Sequence, residues 1–198
     1  LSMPAGRVSA QVSIAATGRS KAALLGALNG NGSATIEQPA FKGLDPQAFD
    51  AAIEASDRNP MRDEMILGTV VAPALEDGAF TAASADIPFT IRDGQLRVGS
   101  TAITGKNALL TVSGGYDLGA DQIDIRAGLR ATNFDAAGIG RPEILVLAFG
   151  SPDKPDRTVD VASLSNWLSL RTIDRETRRL DALEKNNPLL NPGPKTDE

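Results

Sequence analysis

The sequence predicts an α+β protein that is mainly antiparallel β: a curved, groove-forming sheet with two or three helices packed at its edge and a long C-terminal helix. Three observations lead to this prediction. Apolar and polar residues alternate in short runs, Gly and Asp turns separate these runs, and a few longer stretches repeat apolar residues at helical spacing. Alternation with tight turns is typical of consecutive antiparallel strands that have one apolar face.

The first forty residues predict a strand, a short helix and a second strand. Residues 6–17 alternate cleanly, which predicts a half-buried strand. Ser20 has the side chain of a helix cap for the segment 20–28. The run 29–32, Asn-Gly-Asn-Gly, predicts a turn, and the next strand is expected over 33–38.

Two helices are expected next. Asp45 followed by Pro46 is typical of a helix start, because the carboxylate caps the helix and Pro fits its first position. Phe49 and Ile53 supply the apolar stripe of this helix. A second helical segment is expected over 60–75.

A series of hairpins is predicted between residues 80 and 129. Asp93-Gly94 is the sharpest two-residue turn signal in the chain, and Gly114-Gly115 indicates a bulge or bend. The run 143–149 is apolar on both faces, which predicts a strand buried on both sides or covered by a helix.

The C-terminal part predicts a short strand over 157–159 and then a long helix that begins near Asp160. Residues 1–185 are expected to form a single domain, and residues 186–198, which are rich in Pro, a disordered tail. The predicted apolar stripe of the helix consists of Val161, Leu164, Leu168, Trp167 and Ile173, continued by Leu180 and Leu183.

The chain is 198 residues long and begins with Leu1, without a charged and then apolar leader, so we expect a fragment of a longer protein. No run of about 18 apolar residues is present, as a membrane-spanning helix requires. The net charge of −5 argues against nucleic acid as a partner, because phosphate binding requires a basic surface.

The chain has no His and no Cys, which removes the commonest general base, the usual nucleophile systems and the commonest zinc ligands. Ser151 and Lys154 match the S-x-x-K string of penicillin-recognising enzymes, but Pro155 disfavours the helix that this geometry requires. We therefore predict no catalytic residue, no metal site, no cofactor and no enzymatic activity.

Acidic residues leave one weaker alternative open. Asp117, Asp121 and Asp124 are spaced so that they could cluster at a strand end, although a solvated turn is the favoured interpretation. A carboxylate enzyme that acts on glycans would need two acids about 5 to 10 Å apart in a cleft. The sequence pairs none convincingly.

Four arginines of the C-terminal helix are candidates for contacts with lipid headgroups or a protein partner. The favoured alternative is a solvated helix face on which they pair with Asp174, Glu176 and Asp181. These arginines are Arg171, Arg175, Arg178 and Arg179.

The apolar face of the hairpin series has two interpretations: a core covered by the helices, or the wall of a groove that shelters acyl chains. Periodicity alone does not separate them. The candidate wall residues are Ile87, Phe89, Ile91, Leu96, Val98, Leu110, Val112, Ile123, Ile125 and Leu129.

Several segments carry a resemblance to a known family. LNGNGSATIEQPAFKGLDPQAF, then FTIRDGQL, GYDLG and IDIRAGL, resemble in order the C-terminal region of the AsmA family of bacterial envelope proteins. The resemblance covers roughly residues 25–183 and depends on pattern more than on invariant residues.

The resemblance implies a protein in the periplasm of a Gram-negative bacterium, tethered to the inner membrane in its full-length form. It implies an elongated β-groove related to bridge-like lipid transfer proteins, which are implicated in phospholipid movement and outer-membrane assembly. The expected function is a non-enzymatic envelope-biogenesis module, with phospholipid acyl chains and envelope proteins as partners. The alternative is a structural or protein-docking domain with a closed core and no lipid site.

Overall fold

The computed structural model describes residues 5–59, 63–134 and 140–185. It confirms the predicted fold class: an open, curved antiparallel sheet with a long C-terminal helix. The elements in these ranges are β1 (Ala5–Ala15), α1 (Lys21–Gly26), β2 (Asn29–Lys42), α2 (Gln47–Arg58), α3 (Glu64–Glu76), β3 (Ala79–Thr81), β4 (Ser84–Arg92), β5 (Gln95–Thr104), β6 (Ala108–Asp117), β7 (Gln122–Ala131), β8 (Glu143–Gly150), β9 (Asp156–Asp160) and α4 (Ala162–Lys185).

The strands follow the chain across one sheet in the order β1-β2-β4-β5-β6-β7-β8-β9, and β3 pairs with the C-terminal end of β2. Every neighbouring pair is antiparallel. The two helices α2 and α3 interrupt the hairpin series between β2 and β3. Among the described strands, β1 and β9 are the outer edges of the sheet.

One side of the sheet, called here the apolar face, is lined by apolar and small residues from β1 to β9. Residues directly opposite each other in an antiparallel pair share a face. Ile103 therefore lies in one row with Leu110, which aligns with Leu129 and then Ile144. The other side, the polar face, has mostly polar and charged residues in β1 to β7.

A β-bulge in β5 keeps this alternation in phase. Val98 pairs with Gly114, whereas the next pair on the apolar face is Thr101 with Val112, so β5 has one residue more than β6 between these pairs. Without the extra residue, strict alternation from Val98 would put Ile103 on the polar face. The irregularity is beside Gly114, as the sequence predicted, but the extra residue belongs to β5.

The strands β4 and β5 pair over a short stretch only, called here the seam. Within the described strands, residues 89–92 pair with residues 95–98, and the rest of β4 bonds only to β2. Pro88 lies where this pairing stops, and it has no N–H to donate to a neighbour. Beyond the seam an isolated bridge joins Ala82 to Gly105.

The helices α2, α3 and α4 begin where short acidic side chains satisfy their first N–H groups, whereas the Ser20 hydroxyl caps α1. The carboxylate of Asp45 accepts a hydrogen bond from the Gln47 N–H at 2.9 Å, as expected for the predicted start of α2. Asp63 caps α3 in the same way, so this helix begins at Glu64. Residues 60–62, where the sequence predicted its first turn, lie outside the described residues. Asp160 accepts from the Ala162 N–H at the start of α4.

Three of these helices, α2, α3 and α4, cover one end of the apolar face and close a core against it. Side chains from the sheet and from all three helices are fully buried there. The largest of them are Phe49, Phe80, Leu44, Leu67, Leu75, Ile103, Leu110, Leu129, Ile144, Leu164 and Leu168.

The predicted turn over 29–32 is wrong, because this segment is the beginning of β2. Gly30 pairs with Ile14 and Ile91, and Gly32 pairs with Phe89. A Cβ on Gly32 would lie 2.7 Å from the Phe89 ring, so the glycine makes room for the aromatic side chain. Close packing across the strands therefore explains the glycines.

Of the two alternatives predicted for β8, burial on both faces is wrong, whereas cover by a helix is confirmed. Its residues on the apolar face, such as Ile144 and Val146, are fully buried, and α4 contacts this strand. On the polar face Leu145 and Leu147 are half-buried and Phe149 is exposed. No described helix covers that side.

The apolar stripe predicted for α4 is correct only in the first turns of the helix. Leu164, Trp167 and Leu168 are buried, and Val161 is buried just before the helix, whereas Ile173, Leu180 and Leu183 are exposed. The helix extends beyond the core, so its later residues have nothing to pack against within the described chain. The predicted disordered tail, residues 186–198, lies outside the described residues.

The division of the apolar face predicts unequal effects of truncation in one strand. Replacing the fully buried Leu129 by Ala should lower the free energy of unfolding by about 3 kcal/mol, because it leaves a cavity under the helices. Replacing the half-buried Ile125 by Ala should cost about 1 kcal/mol. Urea unfolding followed by circular dichroism measures both, and equal costs would contradict the helix-covered core.

Candidate functional site

The ten residues that the sequence proposed as a groove wall all lie on the apolar face of four adjacent strands. The covering helices divide them. Leu110 and Leu129 are fully buried in the core, and Ile87 and Val112 pack against it. Ile91 is buried near the other end of the sheet. Leu110, Leu129 and Ile91 are therefore not available to a ligand in this structure, and Ile87 and Val112 are only partly accessible.

The remaining five wall residues are half-buried and lie outside the helix-covered core. On β1 the same face continues with three apolar side chains that are between 51% and 59% exposed. Their alternation was visible in the sequence, but only the pairing of β1 with β2 places them on this face. Together these residues form the open apolar zone: Phe89, Leu96, Val98, Ile123 and Ile125, with Val8, Val12 and Ile14.

Glycines form part of the floor of the open apolar zone. Gly32 lies between Val12 and Phe89, and Gly114 lies between Val98 and Ile125. Gly114 has a φ of +151°, and a Cβ there would collide with the backbone of β7, so no other residue fits. Because glycine has no side chain, these two positions leave space above the sheet.

A tyrosine marks the rim of the open apolar zone. Tyr116 pairs with Leu96 and Ile123, and its hydroxyl donates to Asp121 Oδ1 at 2.6 Å. This hydrogen bond to a carboxylate raises the pKa of the Tyr116 phenol above its ordinary value. The open apolar zone therefore ends in polar groups at Tyr116 and Asp121.

The three aspartates that the sequence singled out do not converge on one point. Asp117 accepts from the N–H groups of Ala120 and Gly119, which lower the pKa of its carboxyl and fix the turn between β6 and β7. Asp121 is bound to Tyr116, and Asp124 lies on the polar face opposite Phe149. Within the described residues no group of three acids is placed to hold a metal ion.

A polar cleft of about 220 Å³ lies at the start of α2. Asp45 and Asp50 line it, together with Lys106 and Asn133. Asp45 is already engaged as the helix cap, and its carboxylate fills the space beside Gly78.

Two of the four candidate arginines bind an acid of the same chain. Arg171 contacts both carboxylate oxygens of Asp57, at 2.6 Å and 3.2 Å, and Arg175 contacts Oδ1 at 2.7 Å. The hydrogen bond from Arg171 is the main cause that lowers the pKa of Asp57 below its ordinary value. This Asp57 clamp ties the end of α2 to the middle of α4.

The other two arginines pair along the surface of α4. Arg178 contacts Asp174 at 2.9 Å, and Arg179 contacts Glu176 at 3.5 Å. These two pairs match the solvated-face interpretation, whereas the partner of Arg171 and Arg175 is on another helix and was not foreseen. The four arginines therefore do not form one free cationic patch.

No protein-family model, curated protein or solved structure matches the chain significantly. The resemblance to the AsmA family stays a prediction from the sequence. None of the described helices has both the length and the apolar character needed to cross a membrane.

The Asp57 clamp predicts a pH-dependent contribution to stability. Because the folded-state pKa is lowered, the ionised carboxylate stabilises the fold above its ordinary pKa of 3.8, and this contribution disappears as the pH falls through the folded-state value. Asp57→Asn should therefore lower the free energy of unfolding by about 1 kcal/mol at pH 7.

Urea unfolding of the wild type and Asp57→Asn between pH 7 and pH 3 measures this dependence, and the difference between the two proteins should shrink toward the acidic end. Arg178→Ala removes an exposed pair of one helix and serves as the control, with almost no expected change. A constant difference between wild type and Asp57→Asn at all pH values would contradict the ionic contribution.

Proposed function

We propose that this chain is a non-enzymatic lipid-binding module of the bacterial envelope, whose open apolar zone shelters phospholipid acyl chains. It would be the terminal part of a periplasmic β-groove that carries phospholipid toward the outer membrane. In this proposal the full-length protein is tethered to the inner membrane of a Gram-negative bacterium. The resemblance to the AsmA family suggests the setting, and the open apolar zone suggests the ligand.

The observation that carries the proposal is the uncovered part of the apolar face. Folded proteins normally bury a continuous apolar sheet face, and large uncovered apolar patches mark binding sites. Here the helices cover one end, whereas Val12 and Ile14 on β1 are more than half exposed and Phe89 on β4 is half-buried. The sheet is open and curved, and a concave surface would suit a chain-like ligand.

The dimensions suit one acyl chain that lies across the strands. Strands β1 to β7 span five interstrand spacings of about 4.8 Å, which gives about 24 Å. One leaflet of a bilayer has a hydrocarbon thickness of about 15 Å. Leu110 and Leu129, which are buried under the helices, then limit the open apolar zone on one side.

Burial of hydrocarbon supplies the affinity in this proposal. Each methylene that leaves water contributes about 0.8 kcal/mol when it is fully buried. An open trough covers only one side of the chain, so each methylene contributes less there than in a closed cavity. The affinity for lipid is therefore lower than in a closed cavity, which suits a conduit better than a storage site.

The closed half of the molecule favours a second function. The core under α2, α3 and α4 is filled by its own side chains, which is what a structural or protein-docking domain requires. On this alternative the open apolar zone is covered by another protein and not by lipid.

Neighbouring residues on opposite faces of one strand provide a matched test. Phe89→Asp puts a charge into the open apolar zone, whereas Thr90→Asp puts the same charge on the polar face. Val12→Asp and Gln11→Asp form a second pair on the exposed strand β1. We expect the two changes on the apolar face to lower acyl-chain affinity about tenfold or more and the two controls to have little effect.

Binding is measured with a fluorescent phosphatidylglycerol analogue, and lipid extracted from the purified protein is identified by mass spectrometry. Circular dichroism confirms that each variant is folded. Absence of co-purified phospholipid, together with equal affinities in both members of each pair, would overturn the lipid proposal in favour of the docking domain.

A further inference from the structure

A groove of about 510 Å³ lies between α3 and the edge strand β9, and it is called here the edge groove. The ion pair between Arg157 and Glu76, with 3.1 Å between Nη1 and Oε1, joins the two elements at the C-terminal end of α3. Six further residues line the edge groove: Met65, Gly68, Thr69, Ala72, Thr158 and Val159.

The wall that α3 contributes is apolar and open. Met65, Gly68 and Ala72 recur at intervals of three and four residues, so they lie on one side of the helix. Met65 is 80% exposed, and a Cβ on Gly68 would have open space around it. Small residues at these positions let the backbone of another chain approach closely.

The opposite wall is a strand edge with free backbone groups. A strand in an antiparallel pair bonds to its neighbour through alternate residues, so half of the N–H and C=O groups of β9 point away from β8. Within the described residues β9 pairs only with β8, and no bond from a described turn or loop reaches its backbone. An extended polypeptide satisfies such groups, whereas an acyl chain has no groups that could do so.

The charges around the edge groove are mainly acidic. The elements α3 and β9 together have four acids, Glu64, Glu76, Asp156 and Asp160, and one base, Arg157, which Glu76 already binds. The turn before β9 adds one acid and one base and leaves this balance unchanged. A segment with basic residues therefore complements the edge groove.

The faces of β9 specify where those basic residues belong. Asp156, Thr158 and Asp160 lie on the polar face, and Arg157 and Val159 lie on the apolar face, which the helices cover. Because opposite residues share a face, an added strand needs basic residues opposite the two aspartates and apolar residues at the positions next to α3. A second copy of β9 does not fit, since the antiparallel register that pairs all five residues puts Asp156 opposite Asp160.

We propose that the edge groove binds one extended segment of a partner protein, which adds to β9 as a further strand and alternates apolar residues with polar and basic ones. The proposal is independent of lipid binding, because the edge groove and the open apolar zone share no residue. Backbone hydrogen bonds to β9 supply affinity, and the aspartates select the partner by charge.

The test uses the whole 198-residue chain and a short labelled peptide with the core Lys-Val-Thr-Val-Lys. Fluorescence anisotropy measures its binding. A second peptide, with Glu in place of both Lys residues, should bind about tenfold more weakly, because it puts acids opposite acids.

Two N-methylated forms of the Lys peptide test strand addition itself. Each form lacks the N–H groups of alternate residues, and in a strand paired along β9 only one of these two sets points to β9. We expect one form to lose binding and the other to keep it. Loss of binding in both forms, or in neither, contradicts strand addition.

A glycine substitution in α3 tests the place of binding. Gly68→Gln fills the edge groove without a clash and should weaken binding of the Lys peptide about tenfold. Gly26→Gln makes the same change in α1, where a Cβ also has open space, and should leave the affinity almost unchanged.

A second pair of variants separates docking from general attraction between the acidic chain and a basic peptide. Asp156→Lys removes an acid of the strand and should weaken binding of the Lys peptide, whereas Asp153→Lys makes the same charge change in the turn before β9 and should have little effect. Equal losses in the two variants would overturn the proposal.

Other occupants are tested with the same proteins. Sedimentation equilibrium measures self-association, and the fluorescent phosphatidylglycerol analogue is added in competition with the peptide. The proposal is overturned if Gly68→Gln abolishes self-association of the wild type, or if the lipid analogue displaces the Lys peptide. It is also overturned if neither peptide binds, if both bind equally, or if Gly68→Gln leaves the affinity for the Lys peptide unchanged.

Discussion

The rest of the structure depends on one constraint: apolar residues must stay on the same face through a succession of strands. The bulge in β5 meets this constraint where strict alternation would fail, because it returns Ile103 to the side of Leu110. A shift of one residue there would put Ile103 on the polar face and a polar neighbour in the core. The core and the open apolar zone both rely on this single correction.

The hairpins could be predicted from the sequence because their signals are local. Asp93 and Gly94 both have positive φ, at 48° and 74°, as a tight two-residue hairpin turn requires. The glycines of β2 have the same local appearance but a different cause, since Gly32 is needed where the Phe89 ring crosses the strand. That cause is a contact between segments far apart in the chain, and no short window of sequence contains it.

The candidate site shows the same limit. Alternation placed Phe89 and Leu129 on one face, and the structure agrees, but only the docking of α2, α3 and α4 decides that Leu129 is buried while Phe89 stays partly accessible. Likewise the arginine spacing of α4 was plain, whereas Asp57 as the partner of Arg171 and Arg175 depends on how two helices meet. Alternation in the sequence predicts which residues share a face, whereas tertiary packing determines how exposed each of them is.

The seam between β4 and β5 has a consequence for how the molecule moves. On one side β1, β2 and β4 form a ribbon built from distant segments, and on the other β5 to β9 form a continuous meander of sequential strands. The β4–β5 ladder is confined to residues 89–92 and 95–98, so it holds fewer hydrogen bonds than the ladder between β6 and β7. We therefore expect the amide hydrogens at the seam to exchange faster than those of the long β6–β7 ladder.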